Sequence, residues 1–172
     1  MSIPDLVHLS NYSDTNYVNY INEIYEIFKY EVAEAKLQFL GLPITCQWCP
    51  PYDNKHFSFW HLITNKFESD KEEDRQPDIR RCERIRWIAY VIKNANDFEK
   101  IWCWEKQVKT KRGRSTHIAL YLHEEHYLVI LRKKPNRLEV ATAYVKENHC
   151  VFASERSSSK DPRESYSDHS GS

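Results

Sequence analysis

Three strand-like segments follow one another between residues 116 and 145, and they limit the folds that are open to this chain. "THIALYLH" (116–123) alternates in side-chain character, and "HYLVILR" (126–132) is apolar on both faces, as a central strand is. "LEVATAYV" (138–145) alternates again. The connections between these segments are short enough for hairpins, so we predict an antiparallel sheet in the second half of the chain.

The alternation also assigns side chains to the two faces of the predicted sheet. In the first segment His117, Ala119 and Tyr121 share one face, and the aliphatic residues share the other. A further strand is predicted before it, at "IWCWEKQVK" (101–109). In the last segment the same rule places four side chains on one side: Leu138, Val140, Thr142 and Tyr144.

Helix-like segments precede the sheet. "NYVNYINEIYEIFKYEVA" (16–33) has apolar residues at helical spacing. "PDIRRCERIRWIAYVIKNA" (77–95) gives the clearest helical pattern, with a proline at its start and a lysine near its end. The pattern of "HFSFWHLIT" fits a short helix or a strand, and "KLQFLGLPIT" favours a short strand.

Together these elements predict an α+β fold, with N-terminal helices followed by an antiparallel β-sheet in a single domain over residues 1–150. The length of 172 residues fits one compact domain with a tail. The Ser-rich and polar segment 151–172 is predicted to be disordered, because it offers little apolar surface to bury.

Composition argues against several classes of protein. The chain has only 3 Gly and neither of the usual Gly-rich phosphate-loop patterns, so we expect no such loop. Its first residues lack the basic and apolar regions of a signal peptide, and no apolar run approaches the length of a membrane span. With 5 Cys and no export signal, we expect reduced thiols and a cytoplasmic location.

The net charge is zero, but the charges are unevenly distributed. Residues 71–137 carry 17 Lys and Arg residues against 10 Asp and Glu residues. One basic segment is enough to present a positive face to a polyanion such as RNA. The alternative is that these side chains only solvate the surface of the protein.

A group of potential metal ligands lies in "CQWCPPYDNKHFSFWHLIT", where Cys46, Cys49, His56 and His61 are acceptable ligands for zinc. The gap between the cysteine pair and the first histidine is 6 residues and contains two prolines, whereas zinc fingers have a gap of about twelve. We therefore expect no metal and no other cofactor, and we predict that both histidines belong to a cleft that faces the Arg-rich helix at 77–95. A small zinc-stabilised domain is the alternative.

The histidines and arginines have the chemistry for cleaving RNA without a metal. One group must accept the proton of the 2′-hydroxyl and another must protonate the leaving 5′ oxygen, and histidine suits both because its usual pKa of about 6.5 lies near neutral pH. Arginine suits the charged transition state, since its planar fork matches phosphate oxygens. The candidate catalytic residues are His56, His61, Arg84, Arg86, His117, Thr142 and Tyr144.

The order "HFSFWHLIT", "PDIRRCERIRWIAYVI" and "YLVILRKKPNRLEVATAY" resembles the group of nuclease toxins that includes barnase, colicin RNases and RelE-type mRNA interferases. The resemblance covers residues 55–146. Those proteins place helices before an antiparallel sheet and cleave RNA without a metal, and in several branches the last strand ends in Thr-x-Tyr, as residues 142–144 do here. The resemblance implies a cytoplasmic endoribonuclease of toxin type, with RNA as substrate and an antitoxin or immunity protein as partner.

Contacts with the RNA backbone are predicted for the Arg-rich helix and for a basic loop. The alternative function is a non-catalytic RNA- or protein-binding module that uses the same basic helix face, and no membrane partner is expected. Each residue also has a structural alternative, such as packing among aromatic rings or solvation of the surface. The predicted RNA-binding residues are Arg80, Arg81, Lys109, Lys111, Arg112 and Arg114.

Overall fold

The computed structural model of the protein describes residues 2–9, 16–65, 76–147 and 149–167. Within these ranges it has six α-helices and six strands. In chain order they are α1 (Tyr17–Phe28), β1 (Gln38–Phe39), β2 (Leu42–Thr45), α2 (Phe57–Ile63), α3 (Ile79–Glu83), α4 (Ile85–Lys93), β3 (Ile101–Thr110), β4 (Gly113–Leu122), β5 (Tyr127–Lys133), β6 (Leu138–Val145), α5 (His149–Ser157) and α6 (Pro162–Ser167).

The six strands form one sheet in the order β1-β2-β6-β5-β4-β3. Strands β3 to β6 are an antiparallel meander, as the short connections predict. Strand β2 pairs in parallel with β6, with Ile44 beside Leu138, so the complete sheet is mixed. The single-domain α+β class predicted from the sequence is confirmed.

The helices divide unequally between the two faces of the sheet. Helices α1, α2 and α4 bury their apolar side chains against one face, the core face. Helix α1 does so because its aromatic and aliphatic residues recur at helical spacing, and α4 is apolar on almost every side. Among the described helices, only α5 contributes a buried side chain, Phe152, to the smaller cluster on the opposite face, the outer face.

The segment predicted as one long helix over 77–95 is two helices. Arg84 interrupts it, with φ −100° and ψ 18°, between α3 and α4. The carbonyl oxygen of Arg84 accepts hydrogen bonds from the Trp87 amide and, at 3.4 Å, from the Tyr127 hydroxyl. The interruption therefore has partners in α4 and in the sheet, which a local helical pattern does not reveal.

The predicted side-chain assignment in the last strand is wrong for two of its four residues. Leu138 and Val140 belong to the main core, whereas Tyr144 packs in the cluster on the outer face. The pairing register between β5 and β6 shifts by one residue, since Leu131 faces Val140 while Ile130 faces Thr142. One extra residue in a strand reverses the face of every residue after it.

The prediction of a disordered tail over 151–172 is also wrong for the described part of that segment. Helices α5 and α6 occupy most of residues 149–167, and Phe152 and Arg163 are both buried. Two anchoring side chains order a segment whose average composition is polar. Residues 168–172 lie outside the described ranges.

Among the described residues, no helix is long and apolar enough to cross a membrane.

Candidate active site on the outer face of the sheet

Four polar side chains form a line across the outer face of the sheet. Lys106 of β3 pairs with His117 of β4, His117 pairs with Arg132 of β5, and Arg132 pairs with Glu139 of β6. Directly opposed residues in antiparallel strands project to the same face and lie within contact of one another. We call these four residues the cross-sheet row.

The strongest contact within the row joins Arg132 to Glu139. A guanidinium nitrogen of Arg132 donates to the Glu139 carboxylate at 2.7 Å. Glu139 is buried, with 8% of its surface exposed, while the Arg132 side chain is more open at 36%. A buried carboxylate requires such a partner, so Glu139 fixes the position of Arg132 in the middle of the sheet.

His61 approaches the row from helix α2, which packs on β6. It lines a small cavity of about 60 Å³ together with Arg132 and Glu139. Its ring also packs against that of Phe57, with 4.1 Å between the ring centroids. The structure therefore brings two of the predicted catalytic histidines, His61 and His117, to opposite sides of Arg132.

The pKa of His117 is lowered from its usual value. The largest cause is the partial burial of the ring, and the positive charges of Arg132 and Lys106 on either side of it add to the effect. All three disfavour the imidazolium ion. His117 is therefore neutral at neutral pH, which is the form that accepts a proton.

Helix α5 covers the part of the outer face next to the row. Phe152 packs on Trp104 and Tyr121, with ring centroids 5.7 and 4.7 Å away. Glu155 accepts a hydrogen bond from the Trp104 indole at 3.2 Å and lies 3.8 Å from the ammonium group of Lys106. The cross-sheet row lies at the edge of the region that α5 covers.

Two more predicted residues follow on the same face. Thr142 opposes Ile130 and Tyr144 opposes Leu128, in the next two rows along the sheet. Beyond them lies a cleft of about 320 Å³ at the end of β6, where the guanidinium of Arg81 stacks over the Tyr144 ring at 5.2 Å. This second site, the Arg81 cleft, also takes in Arg80 and Lys146.

The predicted basic loop is the tip of the β3–β4 hairpin. Lys109 and Arg114 are paired across the two strands, and Lys111 and Arg112 form the turn. All four side chains are exposed. They can reach a polyanion without any desolvation of a buried group.

Besides Thr142 and Tyr144, which lie further along the same face, three predicted catalytic residues lie away from the row. Arg84 and Arg86 belong to the helices on the core face: Arg84 stacks on Trp87 at 5.1 Å, and Arg86 lies 3.6 Å from Glu31. His56 precedes α2 and its Nδ1 atom bonds the Tyr25 hydroxyl at 3.0 Å.

The four residues considered as zinc ligands do not meet. Across the described ranges, no three His, Cys, Asp or Glu side chains are grouped closely enough to hold a metal ion. Cys46 is half-buried, and burial raises the pKa of its thiol to about 12, which opposes the thiolate form that zinc requires. Cys49 is exposed, and His56 lies among the rings of Tyr25, Phe28 and Trp48.

Sequence reasoning missed three members of the row: Lys106, Arg132 and Glu139. The positions of the turns in the sequence could have indicated Arg132 and Glu139. Pairing residues symmetrically about the β4–β5 turn sets His117 opposite Arg132, and the same rule at the β5–β6 turn sets Arg132 opposite Glu139. The row lies before the shift in register, so the simple rule holds for it.

In comparisons with known proteins, no protein-family model, no curated protein and no solved structure matches the chain.

Proposed function

We propose that this protein is a metal-independent endoribonuclease that cleaves RNA by attack of a 2′-hydroxyl on the adjacent phosphate. The cross-sheet row is the observation that carries the proposal. It offers an imidazole with a cation on each side, and a carboxylate that holds one of those cations. Proton transfer by imidazole and charge stabilisation by fixed cations are what this reaction requires.

His117 is assigned to the attacking 2′-hydroxyl. In its neutral form it accepts the 2′-hydroxyl proton while the oxygen forms a bond to phosphorus. Lys106 and Arg132 flank it and stabilise the negative charge that develops on the phosphate oxygens. Glu139 acts on Arg132 and does not touch the substrate, so it is a positioning residue.

His61 is assigned to the leaving group. It lines the same cavity as Arg132, and in its protonated form it donates a proton to the 5′ oxygen as the bond from that oxygen to phosphorus breaks. The products are a 2′,3′-cyclic phosphate and a 5′-hydroxyl, and the two histidines end with their protonation states exchanged. Thr142 and Tyr144, on the same face, lie along the path of the bound chain.

The resemblance to nuclease toxins extends the proposal to location and partners. We place the enzyme in the cytoplasm, with an antitoxin or immunity protein that blocks the row until the nuclease acts. The five cysteines are all free thiols, which fits a reducing compartment.

Labelled RNA in excess EDTA tests the proposal. The wild-type protein should cleave it, and His117→Ala should lower the rate by about 10²–10⁴-fold, the usual contribution of a general acid or base. Lys93→Ala, at the exposed end of α4, is the matched control and should cleave as the wild type does. Equal rates for His117→Ala and wild type would remove the row from the mechanism.

The exposed hairpin tip favours a second candidate function, a non-catalytic RNA-binding module. Its four cations are exposed and can contact the RNA backbone, and none of the predicted catalytic residues lies beside them. Intact RNA in every sample, together with binding that weakens steeply with salt, would support this function over the nuclease.

A further inference from the structure

The Arg81 cleft has the composition of an anion-binding site. Its cations are Arg80, Arg81 and Lys146, and the one carboxylate among its lining residues is that of Asp78. Arg80 also lies 3.9 Å from the exposed Glu147 carboxylate, and the Lys146 ammonium lies over the Phe152 ring at 5.5 Å. The Asp78 carboxylate is already occupied, since it accepts hydrogen bonds from the backbone amides of Arg80 and Arg81. With Glu147 included, three cations face two carboxylates, so the cleft retains a positive charge around about 320 Å³ of open space.

Arg81 is the one of these three cations that is not exposed. Its guanidinium is half-buried and stacks on Tyr144, and among the described residues no carboxylate lies within ion-pair distance of it. Burial lowers the pKa of Arg81, and the negative charge of Asp78 opposes this shift only in part. By contrast, Arg132 has Glu139 at 2.7 Å. An anion bound in the cleft would compensate the positive charge of Arg81.

The cleft opens at the end of β6 beside Tyr144, which lies on the same face of the sheet as the cross-sheet row. Tyr144 pairs with Leu128, and Leu128 pairs with Tyr121 of β4. Tyr121 lies four residues along β4 from His117. Four residues of strand span about 13 Å. Between the two sites the outer face carries Ile130 and Thr142, beside the part that α5 covers.

We propose that the Arg81 cleft binds a second phosphate of the same single-stranded RNA chain, on one side of the bond that is cut at the row. Arg81 and Lys146 contact the phosphate oxygens, and Tyr144 presents the free edge of its ring and its hydroxyl beside them. The inference rests on the proposed function, because it takes the row as the position of the scissile bond.

Binding of an uncleavable RNA tests this subsite separately from catalysis. The probe is a fluorescent single-stranded 2′-O-methyl RNA, whose blocked hydroxyls cannot attack, and its anisotropy is measured over a range of salt concentrations. Each phosphate contact on a single strand contributes about 0.7 to the slope of log affinity against log salt. Lys146→Ala and Arg81→Ala should each reduce that slope by about this amount.

Lys146→Ala keeps the test valid if Arg81→Ala is unstable, because Lys146 is exposed. Lys93→Ala removes the same charge from α4 on the other side of the sheet and should leave the slope unchanged. Unchanged slopes for both cleft variants would overturn the subsite, even if the wild type cleaves RNA. Reduced slopes with no cleavage of ordinary RNA would uphold the subsite and reject the nuclease.

Discussion

His56 lies among three aromatic rings at the start of α2. Its ring meets those of Trp48 and Phe28 edge to face, at 4.7 and 5.5 Å, and its Nδ1 atom bonds the Tyr25 hydroxyl. Burial, opposed in part by the negative charge of Glu34, lowers its pKa. The surroundings therefore favour the neutral ring.

This burial makes the stability of the protein depend on pH. The unfolded chain gains a proton on His56 as the pH falls below about 6.5, whereas the folded chain resists it. The contribution of His56 is therefore complete above that pH and is lost as the pH falls through the lowered folded pKa. His56→Gln should lose less free energy of unfolding than the wild type between pH 7.5 and pH 5, measured by urea denaturation. The same loss in both proteins would show that His56 titrates normally.

Helix α5 depends on a single buried residue, as its amphipathic pattern is weak. Phe152 is buried against Trp104 and Tyr121, while its neighbour Val151 is exposed. Phe152→Ala should lower the free energy of unfolding by about 3 kcal/mol and increase the exposure of Trp104, measured by urea unfolding followed through tryptophan fluorescence. Val151→Ala is the control and should change neither. Equal stability of the two variants would mean that α5 is not held by Phe152.

The strands of the meander could be predicted from the sequence because each carries its own alternation or apolar run. "HYLVILR" was placed in the centre of the sheet, and β5 lies there, between β4 and β6. The register shift before Thr142 could not be predicted, because an extra residue leaves the local pattern intact and shows only against the partner strand. The break at Arg84 depends likewise on contacts outside the helix.

The candidate site was predicted only in part for a related reason. His61, His117, Thr142 and Tyr144 were found by residue type and position, and they do lie along the outer face or beside it. Arg84 and Arg86 share the residue type, yet they contact Trp87 and Glu31 on the core side of the sheet and do not reach the row. Which face a helix covers depends on the packing of the whole chain.

At the scale of the whole molecule, Arg163 joins the C-terminal segment to the rest of the protein. It is buried in α6, donates to Asp161, and donates to the carbonyl oxygens of Ala95 and Ile101 at 2.8 and 2.9 Å. Its guanidinium also stacks on Phe98 at 4.0 Å. One side chain thus connects the end of the chain to the link between α4 and β3.

Removing this connection should destabilise the protein strongly. Arg163→Ala removes the guanidinium donors from Asp161 and from two carbonyl oxygens, although Asp161 keeps its bond from the backbone amide of residue 163. The loss of one partner of a buried ion pair costs about 3–5 kcal/mol. Arg163→Lys should fall between the alanine variant and the wild type, because an ammonium group cannot reproduce the planar set of donors. Lys160→Ala, exposed nearby, should change little. Thermal and urea unfolding measure the order of stability of these variants. If Arg163→Ala were as stable as the wild type, the role given to Arg163 in holding the C-terminal segment would be contradicted.

The central claim is that the cross-sheet row cleaves RNA through the 2′-hydroxyl, without a metal. The most direct measurement uses a DNA oligonucleotide with a single ribonucleotide, incubated with the wild-type protein in excess EDTA, and analysis of the product ends. The account predicts one cut, after the ribonucleotide, that leaves a 2′,3′-cyclic phosphate on one product and a 5′-hydroxyl on the other. The account would be contradicted if the oligonucleotide stayed intact while single-stranded RNA was cut under the same conditions and gave products with other ends.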